Sequence, residues 1–180
     1  MKTLKIFLLL FTLSAGIYFV SMKAMGNRII ATSDNDSLEV FFKKIPAPIG
    51  MVNDFENVFS LKQISEIDSL IKLVNKSKDV VIVVLSLDSS MANKNLFDSV
   101  ALKTAKQWGI GDNNKNNGIL IAFSKSLRRI RIQNGFGIEA RLSDEETSTL
   151  INQVILPEFK VGNYSQGITK GIQEIERKLK

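Results

Sequence analysis

Two glycine-punctuated segments concentrate oxygen-donor side chains able to do chemistry. The first, 109–118, reads Gly-Ile-Gly-Asp-Asn-Asn-Lys-Asn-Asn-Gly and carries Asp112, Asn113, Asn114, Asn116 and Asn117. The second, 135–144, reads Gly-Phe-Gly-Ile-Glu-Ala-Arg-Leu-Ser-Asp and carries Glu139 and Asp144, with Glu145 and Glu146 following. Carboxylates and amide carbonyls are hard oxygen donors, the set that calcium or magnesium prefers. The chain has no His and no Cys. That excludes disulfides, zinc fingers, iron–sulfur centres, Cys nucleophiles, Ser-His-Asp triads and phospho-His or phospho-Cys intermediates. No catalytic residue is assigned.

Each of these features has a plainer reading beside it. Asp144, Glu145 and Glu146 stand in the first turn of an expected helix, where acids suit the macrodipole without any metal. Asn tolerates turn geometry, so an Asn-rich loop needs no ligand. Asp112–Gly118 is not an EF-hand, because the sixth position is Asn117 and the twelfth is Phe123. Gly109, Gly111, Gly135 and Gly137 read as backbone-conformation glycines, and 135–140 lacks the last glycine of a phosphate cradle. Arg128 and Arg131, with Arg129 between them, suit a weak anion site or a solvated strand face.

The elements that must position these residues follow from capping and periodicity. Ser60 and Gln63 form a capping box, with Phe59 placed to staple onto Ile64. Leu61, Ile64, Ile67, Ile71 and Val74 then recur at helical spacing. Val80–Leu85 and Ile119–Phe123 are continuous apolar runs, suited to strands buried on both faces. A helix from about 94 to 108 lies between them, with Trp108 read as core. Residues 129–133 alternate, which predicts a half-exposed strand in a hairpin with 119–123. Ser143 and Glu146 make a second capping box opening a helix to about Ile155, which Pro157 ends. A last helix runs from about Tyr164 to Leu179. The order predicts a three-layer α/β/α sandwich around a small mixed sheet. With 80–85 and 119–123 parallel, both glycine-flanked loops fall on one rim.

The N-terminus has a separate job. Lys2 and Lys5 precede an apolar run from Ile6, and no acidic residue occurs before Asp34. This is the layout of a secretory signal over 1–26. The uncharged stretch 6–22 is at the lower length limit for spanning a bilayer, so an uncleaved membrane anchor is the rival reading. Both readings place the rest outside the cytoplasm, in the periplasm or at the outer face of the inner membrane. Net charge is +6 over the whole chain. Without Lys2, Lys5 and Lys23, 21 basic residues face 18 acidic ones, a net +3. No basic cluster with interleaved aromatics exists, so nucleic acid is not an expected partner. Residues 27–50 read as a linker, with Pro46-Ala-Pro48 near its end, and 51–180 as one domain.

Nine motifs in order resemble a known family. They are Val52-Asn-Asp-Phe55, Trp108-Gly-Ile-Gly111, Asn117-Gly-Ile-Leu120, Arg128-Arg-Ile-Arg-Ile132, Gly135-Phe-Gly-Ile-Glu139, Leu142-Ser-Asp144, Ile155-Leu-Pro157, Phe159-Lys160 and Gly162-Asn-Tyr-Ser-Gln-Gly-Ile168. Their spacing looks like that of the TPM domain, named for thylakoid lumen, photosystem II repair and acetylcholine-receptor-modulator proteins, over residues 46–179. The resemblance implies an α/β/α sandwich displayed outside the cytoplasm and linked to assembly, repair or modulation of membrane protein complexes. It also implies association with divalent cations, calcium especially, and a disputed acid-phosphatase activity. The family's acidic positions fall on Asp54, Glu139 and Asp144, and its basic strand position on Arg128. This sequence departs at Asn116, where Asp is common, and at Leu127, where an acidic residue often precedes the arginine. Both changes lower the expected cation affinity. The glycine-rich tail and C-terminal membrane segment of many bacterial members are missing, which would leave an N-terminal anchor as the only tether.

The expectation is an exported, non-enzymatic cation-binding accessory module, its metal ligands drawn from Asp54, Asp112, Asn117, Glu139 and Asp144. Two other readings stand beside it: a metal-dependent phosphatase acting on phosphomonoesters, and a metal-free interaction scaffold.

Overall fold

The computed structural model describes residues 36–112 and 114–179. The expected export segment 1–26, the expected tether 6–22 and the first part of the expected linker lie outside the described residues. Residues 36–42, within the expected linker, are helical, and the larger of two structural units runs from Phe41 to Lys180. Phe42 is buried in that unit, with the Lys103 ammonium 4.6 Å from its ring centroid. A bulky apolar side chain here draws the chain into the fold ahead of Pro46. Among the described residues no helix is long and apolar enough to cross a membrane.

Four strands, β1 (Val52–Asp54), β2 (Val81–Ser86), β3 (Gly118–Ser124) and β4 (Arg129–Asn134), form one sheet in that spatial order. β1 and β3 both pair with β2 in parallel, and β4 pairs with β3 antiparallel. β2 and β3 are apolar and mostly β-branched, as burial on both faces demands. The alternation in β4 sends Ile130 and Ile132 to one face and Arg129, Arg131 and Gln133 to the other. β1 gives no sequence signal, because three residues are too short to show a period. Its Asn53 is fully buried and locally satisfied: Oδ1 accepts from Ile49 N–H at 2.8 Å and Nδ2 donates to Gly50 O at 2.9 Å.

Helix α1 (Leu61–Lys78) opens on the expected box: Ser60 Oγ accepts from Gln63 N–H and Gln63 Oε1 from Ser60 N–H. It closes on Asp79 in the left-handed region, φ 52°. Leu61, counted into the apolar stripe by spacing, is exposed in the first turn, whereas Ile67, Ile71 and Val74 are buried. Those three, with Ile168, Ile172 and Ile175 of α6 (Tyr164–Lys178), cover Ile82, Val84, Ile119 and Ile121. The other sheet face carries Val83, Leu85, Leu120 and Ala122, all buried. It lies beneath α2 (Phe97–Gln107), whose Asp98 reaches Arg129 of β4. The result is the three-layer sandwich.

After β4 come a short helix, α3 (Phe136–Glu139), and α4 (Asp144–Leu150), which opens on the Ser143–Glu146 box. Pro157 does not end the helical path. A π-helical turn, Ile151–Ile155, leads straight into α5 (Leu156–Lys160), and Pro157 occupies the first turn of α5. Leu156 N–H donates to Ile151 O, five residues back. The wider turn accommodates a residue that lacks an N–H and crowds the carbonyl four positions before it.

The second box also sets an acid response. Ser143 N–H donates to Glu146 Oε2 at 3.1 Å, and Lys178 Nζ lies 3.0 Å from Oε1. The Ser143 amide first, and then Lys178, hold the Glu146 carboxyl below its ordinary value of 4.5. A depressed carboxyl contributes stability that is complete above that ordinary value and is lost as pH falls through the lower folded one. Glu146→Gln should therefore flatten the acid side of the stability–pH curve below about pH 5, measured by denaturant unfolding at successive pH values.

Candidate functional site

The loop from Gly109 to Gly118 is folded by its own polar side chains. Asp112 Oδ1 accepts from Asn114 N–H at 2.8 Å and from Lys115 N–H at 3.1 Å, an Asx turn. These amides, Asn114 first, hold the Asp112 carboxyl below its ordinary value, with a smaller contribution from the Lys115 charge. Asn117 is buried and bridges two segments: Oδ1 accepts from Asp112 N–H and Nδ2 donates to Asp79 O, both at 2.8 Å. Lys115 Nζ closes the loop onto the Asp79 carboxylate at 2.7 Å.

Among the described residues, the second loop docks on the first through main-chain hydrogen bonds. Gly135 N–H donates to Gly118 O at 2.8 Å, and Gly137 N–H to Asn116 O at 3.0 Å. A Cβ on Gly137 would stand 1.9 Å from Lys115 O, and one on Gly135 would stand 2.2 Å from Asn116 O. Glycine is required at both places by this close approach, not by a positive φ. The loops border an open cleft of about 430 Å³, lined among others by Ile110, Asp112, Asn116, Gln133, Phe136 and Glu139.

The residues proposed from sequence thus separate into groups. Asp112 and Glu139 share the cleft, and both are exposed there. The Glu139 carboxylate has no hydrogen bond or ion pair among the described residues. Asn117 lies beneath, its amide committed to loop structure. Asp144 is exposed at the start of α4 and lines no part of the cleft. Asp54 is at the opposite end of the sheet, where β1 finishes beside Ser86 of β2. Its Oδ1 accepts from Val58 N–H and Ser86 Oγ–H, and its Oδ2 accepts from Phe59 N–H at 2.8 Å. Asp54 therefore shapes the turn into α1. Glu56 does similar work at that end, accepting from Lys125 N–H at 2.6 Å and Ser126 N–H at 2.7 Å. Arg128 occupies the β3–β4 turn at φ 53°, also remote from the cleft. Arg131 pairs with Gln133 Oε1 at 2.7 Å and faces Asp98 at 3.8 Å. Trp108 is half-buried, its ring edge-on to Phe55.

Sequence reasoning missed Lys106, Gln133 and Phe136 as cleft residues. Phe136 carried a usable signal, an aromatic held between two glycines, and it is 80% exposed at the cleft. Among the described residues no three carboxylates come together as a ready metal site.

Comparison with known proteins identifies the fold's kin. The family model of the TPM domain matches residues 52–178, and the chain belongs to that family. The N-terminal domain of a P. gingivalis protein, solved by NMR, is similar at 31% identity and TM-score 0.64, covering 72% of this chain and 81% of that one. Two more NMR structures share the fold. One is the N-terminal domain of a Corynebacterium glutamicum protein, with 18% identity, TM-score 0.55 and coverage of 74% and 83%. The other is a protein of the psychrophilic bacterium Bizionia argentinensis, with 22% identity, TM-score 0.57 and coverage of 69% and 83%. No curated protein matches the chain.

Two stability outcomes follow from this geometry. Gly137→Ala should cost about 1–3 kcal/mol, the usual penalty of overpacking, whereas Gly50→Ala, with nothing within 4 Å of the new methyl, should stay near neutral in the same urea titration. Asp54→Ala should destabilise by about 1–3 kcal/mol through the lost charge-assisted bonds, read from the same urea titration.

Proposed function

We propose that this chain is an exported, non-enzymatic accessory module that binds a divalent cation, calcium or magnesium, in the 109–118/135–139 cleft and assists a membrane protein complex. One observation carries the reading: Asp112 and Glu139, about 27 residues apart in sequence, line one open cleft with their carboxylates facing solvent. The donors fit a hard cation. Two carboxylates and neighbouring carbonyls fill only part of a shell of about six to eight oxygens, so water completes it and binding is weak and exchangeable. Glu139 supplies a carboxylate with no competing partner among the described residues, and Asp112 keeps Oδ2 for the ion while Oδ1 holds the turn. Asp144 and Asp54 take no part in this version of the site. A metal-dependent phosphatase would need a cation and an anion clamp together. Arg128 and Arg131 line no part of the cleft, and Lys106 is the one cation among its described lining residues; a single lysine beside two carboxylates is a weaker anion clamp than paired arginines, which favours the accessory reading.

Isothermal titration with calcium tests the site. The double variant Asp112→Asn/Glu139→Gln keeps the Asx acceptor but removes both charges, and should bind at least about tenfold more weakly, or 1.4 kcal/mol. Asp144→Asn should bind as the parent does. Equal affinity in the double variant would remove the cleft from the proposal. Chelator-sensitive turnover of an aryl phosphate that the same double variant abolishes would establish the enzyme instead.

A further inference from the structure

β4 lies at the edge of the sheet, and no fifth strand pairs with it among the described residues. Its pairing with β3 fixes which of its backbone groups are already used. Gly135 N–H bonds Gly118 O, and Ile119 stands opposite Asn134, Ile121 opposite Ile132 and Phe123 opposite Ile130. Bonded and non-bonded pairs alternate along an antiparallel ladder. Arg129, Arg131 and Gln133 therefore turn N–H and C=O towards β3, while Ile130, Ile132 and Asn134 turn theirs outward. The Asn134 carbonyl accepts from Gln133 Nε2 at 3.1 Å. The Ile130 and Ile132 N–H groups have no partner among the described residues, Ile130 being partly exposed and Ile132 7% exposed at this edge. Such a row is a template for another extended chain.

The side chains say what kind of chain. Arg129 and Arg131 stand on the α2 side of this edge, with side chains 40% and 35% exposed. Among the described residues Asp98 is the only carboxylate within ion-pair range of either, at 2.9 Å and 3.8 Å. Two guanidinium groups sharing one carboxylate leave the edge positive, and exposed Arg128 adds a third charge at the turn. A second copy adding through its own β4 would set arginine rows against each other, which is unfavourable. The geometry points to an acidic, extended segment of a partner protein adding as a fifth strand along β4. Its main chain bonds Ile130 and Ile132, and its carboxylates meet Arg129 and Arg131. This goes beyond the cation reading and does not rest on it.

Backbone amide exchange of the full chain, followed by NMR, is the test. The probe is a blocked synthetic peptide in which Glu alternates with Val. Two counterparts accompany it: one with Lys for Glu, and one N-methylated on the nitrogens of alternate residues. At saturation the acidic peptide should slow exchange at Ile130 and Ile132 by about tenfold or more, and the other two peptides should not. Arg129→Glu/Arg131→Glu should invert the preference towards the Lys peptide, with exchange in α1 and α6 unchanged as the check on folding. No slowing at Ile130 and Ile132 with the acidic peptide would overturn the proposal. Equal binding of the N-methylated peptide would do the same, showing charge attraction without strand addition. So would self-association of the chain that protects those two amides.

Discussion

The carbonyl oxygens of Lys115 and Asn116 occupy the space where side chains at 137 and 135 would begin. Everything at that end of the sheet depends on this main-chain contact. It holds two loops about twenty residues apart in sequence at a separation that only glycine permits. It also carries the hydrogen bonds that start β3 and finish β4. Asp112 and Glu139 face one cleft because the backbones beneath them touch. Side-chain chemistry at this site is therefore a consequence of an absence of side chains next to it.

The two ends of the sheet use their acids in opposite ways. At the end where β1 and β2 finish, Asp54 and Glu56 together accept four main-chain N–H groups, from Val58, Phe59, Lys125 and Ser126. A carboxylate bonded in this way is an architectural part, since most of its lone pairs are committed. At the other end Glu139 has no such commitment among the described residues, and Asp112 has only half of one. An acidic residue inside a family motif thus has no fixed meaning. Asp54 and Glu139 both lie within the stretch that the TPM family model matches, yet one braces a turn and the other faces open space.

Much of this was legible in the amino-acid sequence because local rules agreed with the global fold. Both capping boxes formed as Ser60/Gln63 and Ser143/Glu146 require. The apolar runs became β2 and β3, and the alternation at 129–133 became a hairpin strand with one polar face. The meeting of the two loops followed from strand direction alone. Other features were not legible. Three residues of β1 carry no period, and a buried Asn53 reads as a loop residue until its local hydrogen bonds are seen. Spacing cannot tell a glycine needed for a positive φ, such as Gly111 at 103°, from one needed for close approach, such as Gly137. Nor can it separate Asn117, whose amide is used up in bridging Asp112 and Asp79, from an Asn with a carbonyl to offer.

The π-helical turn before Pro157 has a consequence for how this segment tolerates change. Thr147 and Leu150 are three residues apart, but the next buried residue, Ile155, comes five later. A regular helix advances 100° per residue, so a step of five swings a side chain off its face unless the coil is locally underwound. The turn supplies that phase correction, and the surplus falls on Asn152 and Gln153, which point to water. The segment is a helix that holds one residue more in this turn than regular α pitch allows. Losing either of those two positions would return the coil to normal pitch with Leu150 and Ile155 still facing inward, but would crowd Pro157 against the carbonyl four residues before it.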